Sequence, residues 1–255
     1  MLLTDGSPNG SEDLRVYESS ILNLANTEGI ELDAKLDLAA SEVSEDILDV
    51  LLDHTRWNDP QTAFRRTIGV SDVVVTPQLK RWHAVHTLEL IYRDAYHNQL
   101  NDRYQAQFQE YHEASKNARE DTLRFGIGLT LLPLAKPQPP AFSFVAGLIP
   151  ATTYYVNVTW VAPGGRESAP SDETTYDAPA GSLPVVSAVN PPAAATGFNV
   201  YMGLTAGSET LQNLAPVALG GTFTLAPSGL AAGVAAGTGQ APDVYIIGGR
   251  TLRRG

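Results

Sequence analysis

Hydrophobic residues recur every three or four positions through the first half of the chain, which predicts helices. The first series precedes a break at Gly29 and consists of Leu14, Tyr17, Ile21 and Leu24. The second series predicts one or two helices that run to about Asp53, and it consists of Leu32, Leu36, Ala39, Val43, Ile47 and Val50. Residues 55–76 interrupt the pattern and predict a loop or a short extended segment.

The longest helical pattern lies between Gln78 and Phe125, a stretch without glycine or proline. Pro77 precedes it, in a position that suits the first turn of a helix. The apolar stripe has a mean spacing close to 3.6 residues and comprises Leu79, Trp82, Val85, Leu88, Tyr92, Tyr96, Leu100, Tyr104, Phe108 and Tyr111. A continuous helix of this length would extend roughly 70 Å at 1.5 Å per residue. We therefore expect either a break in the helix or burial of the stripe against neighbouring copies of the chain.

The stripe is rich in tyrosine, which combines a large apolar ring with a hydrogen-bonding hydroxyl group. Such side chains suit surfaces that are buried partly or only on assembly. Two interpretations follow: the rings complete a helical core within the subunit, or they form contacts between subunits. The candidate residues for an assembly interface are Trp82, Tyr92, Tyr96, Tyr104, Phe108 and Tyr111.

Composition changes near Pro133, where charged helical sequence gives way to Thr, Val, Ala, Gly and Pro. Residues 137–255 contain only ten charged side chains. The segment LLPLAKPQPP predicts a linker, and we place a helical domain at residues 1–136 and a second domain at 137–255. The overall prediction is a two-domain α + β protein, with an N-terminal helical bundle that contains one long helix.

The second domain shows about seven short runs of β-branched and aromatic residues between turn residues, as expected of an immunoglobulin-like or fibronectin-like β-sandwich. In TTYYVNVTWV, alternation predicts a strand with Val156, Val158 and Trp160 on its buried face. The following hairpin turn is predicted at Pro163–Gly165.

The net charge of −11 comes from the N-terminal region. Residues 1–60 contain 14 acidic and three basic side chains, whereas the rest of the chain is nearly balanced. An acidic surface repels the phosphate backbone of DNA, because affinity for that backbone comes from Lys and Arg. This distribution argues against a duplex-binding protein.

Candidate chemistry is weak throughout. The chain has no cysteine and no G-x-S-x-G sequence. DGSPNG resembles the start of a calcium loop, but Val16 stands where a bidentate glutamate is required, so we interpret the segment as a flexible N-terminus. His83, His86 and Glu89 are spaced three apart, which points them in different directions around a helix and suits packed histidines better than metal ligands. We predict a non-enzymatic protein with no catalytic, cofactor-binding or metal-binding residues.

The end of the sequence carries Arg250, Arg253 and Arg254. Two interpretations remain open for this basic tail: a disordered segment, or one that docks onto an acidic partner. No run of about 18 apolar residues occurs, and MLLTDGSPNGSED lacks the features of a signal peptide. We therefore expect neither a membrane span nor export.

The stretch PQLKRWHAVHTLELIYRDAYHNQLNDRY, after the acidic segment that begins VYESSILNLANTEGIELDAKLDLA, resembles the head-tail adaptors (connectors) of tailed bacteriophages. GLIPATTYYVNVTWVAPGGRESAPS resembles a fibronectin type III strand pair, and ATGFNVYMGLTAGSETLQ resembles another. The adaptor likeness covers about residues 13–125 and the sandwich likeness about 140–235. The added sandwich departs from minimal adaptors.

The adaptor resemblance implies a structural virion protein in the neck, at the head-tail junction, made in the host bacterial cytoplasm. Such adaptors form a ring, usually of twelve copies, whose partners are the portal protein and a tail or stopper component. If the acidic residues faced the channel, twelve copies would add on the order of −130 of formal charge and keep passing DNA from sticking. The alternative is a fibronectin-like adhesion or carbohydrate-binding module on a helical stalk, as in a fibre or decoration protein.

Overall fold

The computed structural model describes residues 3–57, 68–98 and 102–247. It divides into a helical unit, which contains Ser7–Leu131 and the described residues after Ala241, and a β unit, which contains Thr4–Gly6 and Leu132–Ala241. This arrangement confirms the predicted two-domain α + β fold, with helices in the first half and antiparallel sheets in the second.

The described part of the helical unit contains five α-helices and a single 3-10 turn at Val70–Asp72. The helices are α1 (Ser11–Leu14), α2 (Ile21–Glu28), α3 (Leu32–Trp57), α4 (Pro77–Asn98) and α5 (Gln105–Phe125). Ten strands are described: β1 (Ile127–Leu129), β2 (Ala141–Ala146), β3 (Thr152–Val161), β4 (Thr174–Ala178), β5 (Ser182–Ser187), β6 (Gly197–Gly203), β7 (Thr210–Leu211), β8 (Val217–Ala218), β9 (Phe223–Thr224) and β10 (Val244–Ile246).

The signals at the helix ends act as the sequence predicts. Gly29 adopts a left-handed conformation with φ of 68° and donates its N–H to the carbonyl of Ala25, which ends α2. Pro77 is the first residue of α4, and the Thr76 hydroxyl accepts a hydrogen bond from the N–H of Leu79 at 3.3 Å. The buried positions of α3 include Leu36, Val43 and Ile47 of the predicted apolar series.

The predicted long helix is broken. α4 ends at Asn98 and α5 begins at Gln105, and the two helices pack antiparallel: the Thr122 hydroxyl donates to the carbonyl of Gln78. This hairpin lets both halves of the apolar stripe bury each other within one subunit. The sequence left open a break in the helix or burial of the stripe against neighbouring copies, and the structure shows the break.

The last described strand, β10, belongs to the helical unit rather than to the sandwich. It pairs antiparallel with β1, with Ile127 opposite Ile246. Both isoleucines are buried in the same hydrophobic cluster as Val43 and Trp82. The predicted extension of the sandwich to residue 255 therefore fails at β10, because burial of Ile246 selects the strand's partner and local sequence does not specify it.

The β unit is a sandwich of two sheets with antiparallel pairings. One sheet has the order β2-β5-β9, and the other has the order β4-β3-β6-β7 with β8 also paired to β6. The buried faces meet in a core that includes Trp160 and Phe198, whose rings are edge to face at 6.3 Å. The predicted turn is confirmed: Gly164 and Gly165 take positive φ, and Gly165 donates to the carbonyl of Ala162.

Burial in the β unit differs from the sequence predictions at two places. Leu134, in the predicted linker, is fully buried in the sandwich core, and its N–H donates to the side chain of Gln240 at 2.7 Å. Strand β3 was expected to bury one face, yet Asn157 and Thr159 on its other face are also buried. None of the described helices combines the length and the apolar character needed to cross a membrane.

Candidate functional site

Five of the six predicted interface residues form one aromatic cluster in the α4–α5 hairpin: Tyr92, Tyr96, Tyr104, Phe108 and Tyr111. The Tyr92 and Tyr111 rings stack with centroids 5.2 Å apart, and Tyr96 stacks with Phe108 at 6.1 Å. Tyr92 also contacts the Tyr104 ring at 6.1 Å. The helical spacing in the sequence thus brings these rings together across the hairpin.

Three hydroxyl groups of this aromatic cluster bind carboxylates in or near α2. Tyr92 donates to Glu18 at 3.1 Å, Tyr111 donates to the same carboxylate at 3.4 Å, and Tyr104 donates to Glu28 at 2.7 Å. The hydrogen bond from Ser20, together with those from the tyrosines, lowers the pKa of Glu18 despite its burial. Burial and the Glu18 charge raise the pKa of Tyr111 to about 12. The hydroxyls therefore stay protonated and fasten the α2 region to the hairpin.

The exposure of the six predicted interface residues differs. Trp82, Tyr92 and Tyr104 are only 2%, 3% and 7% exposed, so the subunit itself covers them. Tyr96, Phe108 and Tyr111 are partly exposed. The last three are the predicted residues that a neighbouring copy can still reach in this fold.

A second polar centre joins three helices at His86. Its Nε2 lies 2.7 Å from a Glu42 oxygen on α3, and its Nδ1 lies 3.0 Å from Glu89 on α4 and 3.1 Å from the Ser115 hydroxyl on α5. The other Glu89 oxygen lies 2.8 Å from Nδ1 of His112. Burial by itself would raise the pKa of Glu89, but the hydrogen bonds from His86, His112 and Ser115 outweigh it and lower that pKa to about 2.

The neighbouring His83 points elsewhere. Its Nε2 lies 3.1 Å from the carbonyl oxygen of Leu36, and its Nδ1 lies 2.9 Å from the amide nitrogen of Asn9. His83 and His86 therefore do not converge, as their spacing predicts. Within the described ranges, no group of three or more His, Asp or Glu side chains is arranged to hold a metal ion.

Asn9 also corrects the interpretation of DGSPNG as a flexible segment. Asp5 and Asn9 are buried, and the Asn9 amide donates to the carbonyl of Lys80 at 2.7 Å. The segment is part of the packed structure, because the Asn9 amide provides a hydrogen-bond partner for the fully enclosed ring of His83. The sequence motif gives no sign of this partner, which lies 74 positions away.

The exposed side of α3 carries five of the 14 acidic side chains that the sequence places in the first 60 residues. The exposed carboxylates on this acidic side are Asp33, Asp37, Glu45, Asp49 and Asp53. Beside them, a cavity of about 430 Å³ lies between α3, α4 and α5, next to His86 and Trp82. Across this cavity Arg119 of α5 binds Asp46 of α3 through Nε at 2.7 Å and Nη2 at 3.3 Å.

The β unit contains a polar cluster that sequence reasoning missed. One Glu167 oxygen accepts hydrogen bonds from the Tyr201 hydroxyl at 2.7 Å, from the Asn199 amide at 2.8 Å, and from Thr159. Burial and this bond raise the pKa of Tyr201. Alternation along β3 and β6 places Thr159, Asn199 and Tyr201 on one face, but Glu167 enters from the segment after the hairpin turn. The cluster satisfies the Thr159 hydroxyl on the buried second face of β3.

The predicted docking residues Arg250, Arg253 and Arg254 lie outside the described residues. No protein-family model matches the chain, and no curated protein matches it either.

Proposed function

We propose that the protein is a structural, non-enzymatic component of a tailed-bacteriophage neck, which forms a ring between the portal and the tail. The observation that carries the proposal is the division of surfaces on the helical unit. One side of α3 exposes five carboxylates, while the aromatic residues of α4 and α5 are gathered on the hairpin. A ring subunit needs both a cohesive surface and, toward passing DNA, a repelling one.

Ring closure is assigned to the partly exposed members of the aromatic cluster. Tyr96 and Phe108 stack on each other near the turn of the hairpin and keep part of their surfaces accessible. Burying such rings against a neighbour stabilises the contact in proportion to the apolar area removed from water, roughly 25 cal/mol per Å². Trp82, Tyr92 and Tyr104 support this surface from within the subunit.

The acidic side of α3 is assigned to the channel. Like-charge repulsion between these carboxylates and DNA phosphates would let the genome pass without adhering, and salt would screen this repulsion. The portal protein and a tail or stopper component are the proposed partners. The sandwich is proposed to be dispensable for ring closure.

The test is native mass spectrometry with negative-stain imaging of the full chain, alone and with portal protein. The proposal expects a cyclic oligomer, of about twelve copies by the adaptor resemblance, formed alone or on the portal. Phe108→Glu should prevent ring formation, whereas Phe144→Glu, at a 61% exposed position of the sandwich, should not. A monomer that ignores the portal would overturn the neck role.

A carbohydrate-binding role is the alternative outcome of that test. Trp160, the strongest candidate for a sugar platform by residue type, is buried at 2% exposure against Phe198. It cannot stack on a ligand in this fold. A monomer that binds glycans through residues 137–255 would have to use other aromatic side chains, such as the partly exposed Tyr155.

A further inference from the structure

His86 contacts polar side chains of α3, α4 and α5 together. Its two ring nitrogens face carboxylates on different helices, Glu42 at 2.7 Å and Glu89 at 3.0 Å. A neutral imidazole carries a single N–H, so it can satisfy only one of these acceptors. The imidazolium satisfies both, so this arrangement favours the doubly protonated ring.

We propose that His86 is a proton-operated latch that ties the acidic helix α3 to the α4–α5 hairpin through Glu42. With the proton present, charge-assisted hydrogen bonds run from one ring to α3 and to α4. With the proton lost, one nitrogen presents a lone pair to a carboxylate. The latch is a property of the helical unit and does not depend on the neck role.

The two carboxylates differ in how easily each one can separate from the His86 ring. The Glu89 side chain is 12% exposed and also binds His112, whereas the Glu42 side chain is 43% exposed. Glu89 is enclosed and cannot replace the His86 N–H with water, so the remaining N–H stays with it. Glu42 can turn into water at little cost, and the connection to α3 is the one that opens.

The surroundings of His86 supply charges from every helix packed on it. On α3, Glu42, Glu45 and Asp49 contribute carboxyl groups, and Asp46 is paired with Arg119 of α5. On α4, Glu89 is anionic and His83 is neutral. On α5, His112 binds Glu89. The anions exceed the cations around the ring, which favours its protonated form.

The direction of the pKa shift agrees with this geometry. Burial lowers the pKa of His86, but the hydrogen bonds and charges of Glu89 and Glu42 outweigh burial and raise it above 6.5. A raised histidine pKa gives stability that is fully present below the unfolded value of 6.5 and is lost as pH rises through the folded value. Glu89, with its pKa lowered to about 2, keeps its charge throughout this range. The latch is closed in mild acid and opens toward alkaline pH.

Opening of the latch loosens the middle of α3. Its remaining side-chain tie in this region is Asp46 to Arg119, next to the core contacts of Val43 and Ile47. Loss of one charge-assisted bond should raise local opening by roughly threefold to tenfold. The amides of residues 42–46 should report this change.

Hydrogen exchange and histidine NMR on the full chain test the proposal. From pH 6 to pH 8.5, protection of residues 42–46, corrected for intrinsic exchange, should fall by roughly threefold to tenfold. His86→Gln should remove this dependence, and His97→Gln, at an exposed histidine of the same helix, should retain it. NMR should place the His86 pKa above 6.5 in the wild type and lower in Glu42→Gln.

Three results would overturn the latch: a His86 pKa at or below 6.5, unchanged protection across the pH range, or a dependence that persists in His86→Gln. If His86→Gln does not fold, the wild-type titration and Glu42→Gln decide the question. Glu42 is half exposed on the surface of α3, and its amide analogue keeps the side chain's shape.

Discussion

His83 and His86 lie one turn apart on α4, and their surroundings shift their pKa values in opposite directions. His83 is fully enclosed and is held neutral by burial, with only a backbone carbonyl and an amide as hydrogen-bond partners. His86 sits between two carboxylates. One helix therefore carries a histidine that resists protonation and another that favours it.

His83 should make the helical unit sensitive to acid. Burial lowers its pKa to about 4, against 6.5 in the unfolded chain. The stability it contributes is therefore fully present above pH 6.5 and is lost as pH falls toward 4, by about 2 kcal/mol at pH 5. We expect His83→Gln to lose less stability between pH 7 and pH 5 than the wild type does in urea unfolding.

NMR titration provides the control for this experiment. The His83 ring should titrate near pH 4, well below the 6.5 of a histidine in the unfolded chain. A His83 titration at or above pH 6.5 would contradict the account of a neutral enclosed ring.

The contribution of a tyrosine hydroxyl to the free energy of unfolding should depend on the hydrogen bond that it makes. Tyr92→Phe keeps the stacked ring but removes the 3.1 Å bond to Glu18, and we expect a loss of about 1 kcal/mol. Tyr111→Phe removes a 3.4 Å bond to the same carboxylate and should cost less. Tyr17→Phe, at a 43% exposed position, is the control and should change little. Equal losses for the three variants in urea unfolding would refute this order.

Trp160 should be essential to the sandwich core. Trp160→Ala removes a large side chain that is 2% exposed and leaves a cavity against Phe198, which should destabilise the β unit by roughly 3–5 kcal/mol. Leu148→Ala, at a 97% exposed position, should change stability by less than about 0.5 kcal/mol. Hydrogen exchange of the slowest amides in β3 and β6 measures the stability of the β unit in both variants. Slow exchange that survives Trp160→Ala would argue against this core.

Substitution of Gly233 should destabilise the protein because there is no room for a side chain, and not because of its backbone conformation. A Cβ atom there would collide with the backbone of Leu211, whose N–H donates to the carbonyl of the adjacent Val234. We expect Gly233→Ala to destabilise the β unit by roughly 1–3 kcal/mol. At Gly237, by contrast, nothing lies within 4 Å of an added Cβ, so Gly237→Ala is the matched control. Thermal unfolding of the pair checks the difference, and two equal midpoints would count against the close approach at β7.

Local patterns were sufficient for much of the fold. The capping position of Gly29, the start of α4 at Pro77 and the turn at Pro163–Gly165 follow from backbone preferences that need no distant partner. The core face of β3 follows from simple alternation. The candidate site was harder, because contacts such as Asn9 to His83, or Glu42 to His86, join residues 74 and 44 positions apart.

The sequence by itself determined the two-part division of the protein, the helical and strand periods of each part, and the concentration of acidic charge in the first 60 residues. Those properties depend on composition and on spacing along the chain. Only the tertiary structure decided that the aromatic stripe folds back on itself, that β10 joins β1, and that His86 meets Glu42 and Glu89. Each of these depends on which distant surfaces bury one another, and burial is a property of the packed chain rather than of any local segment.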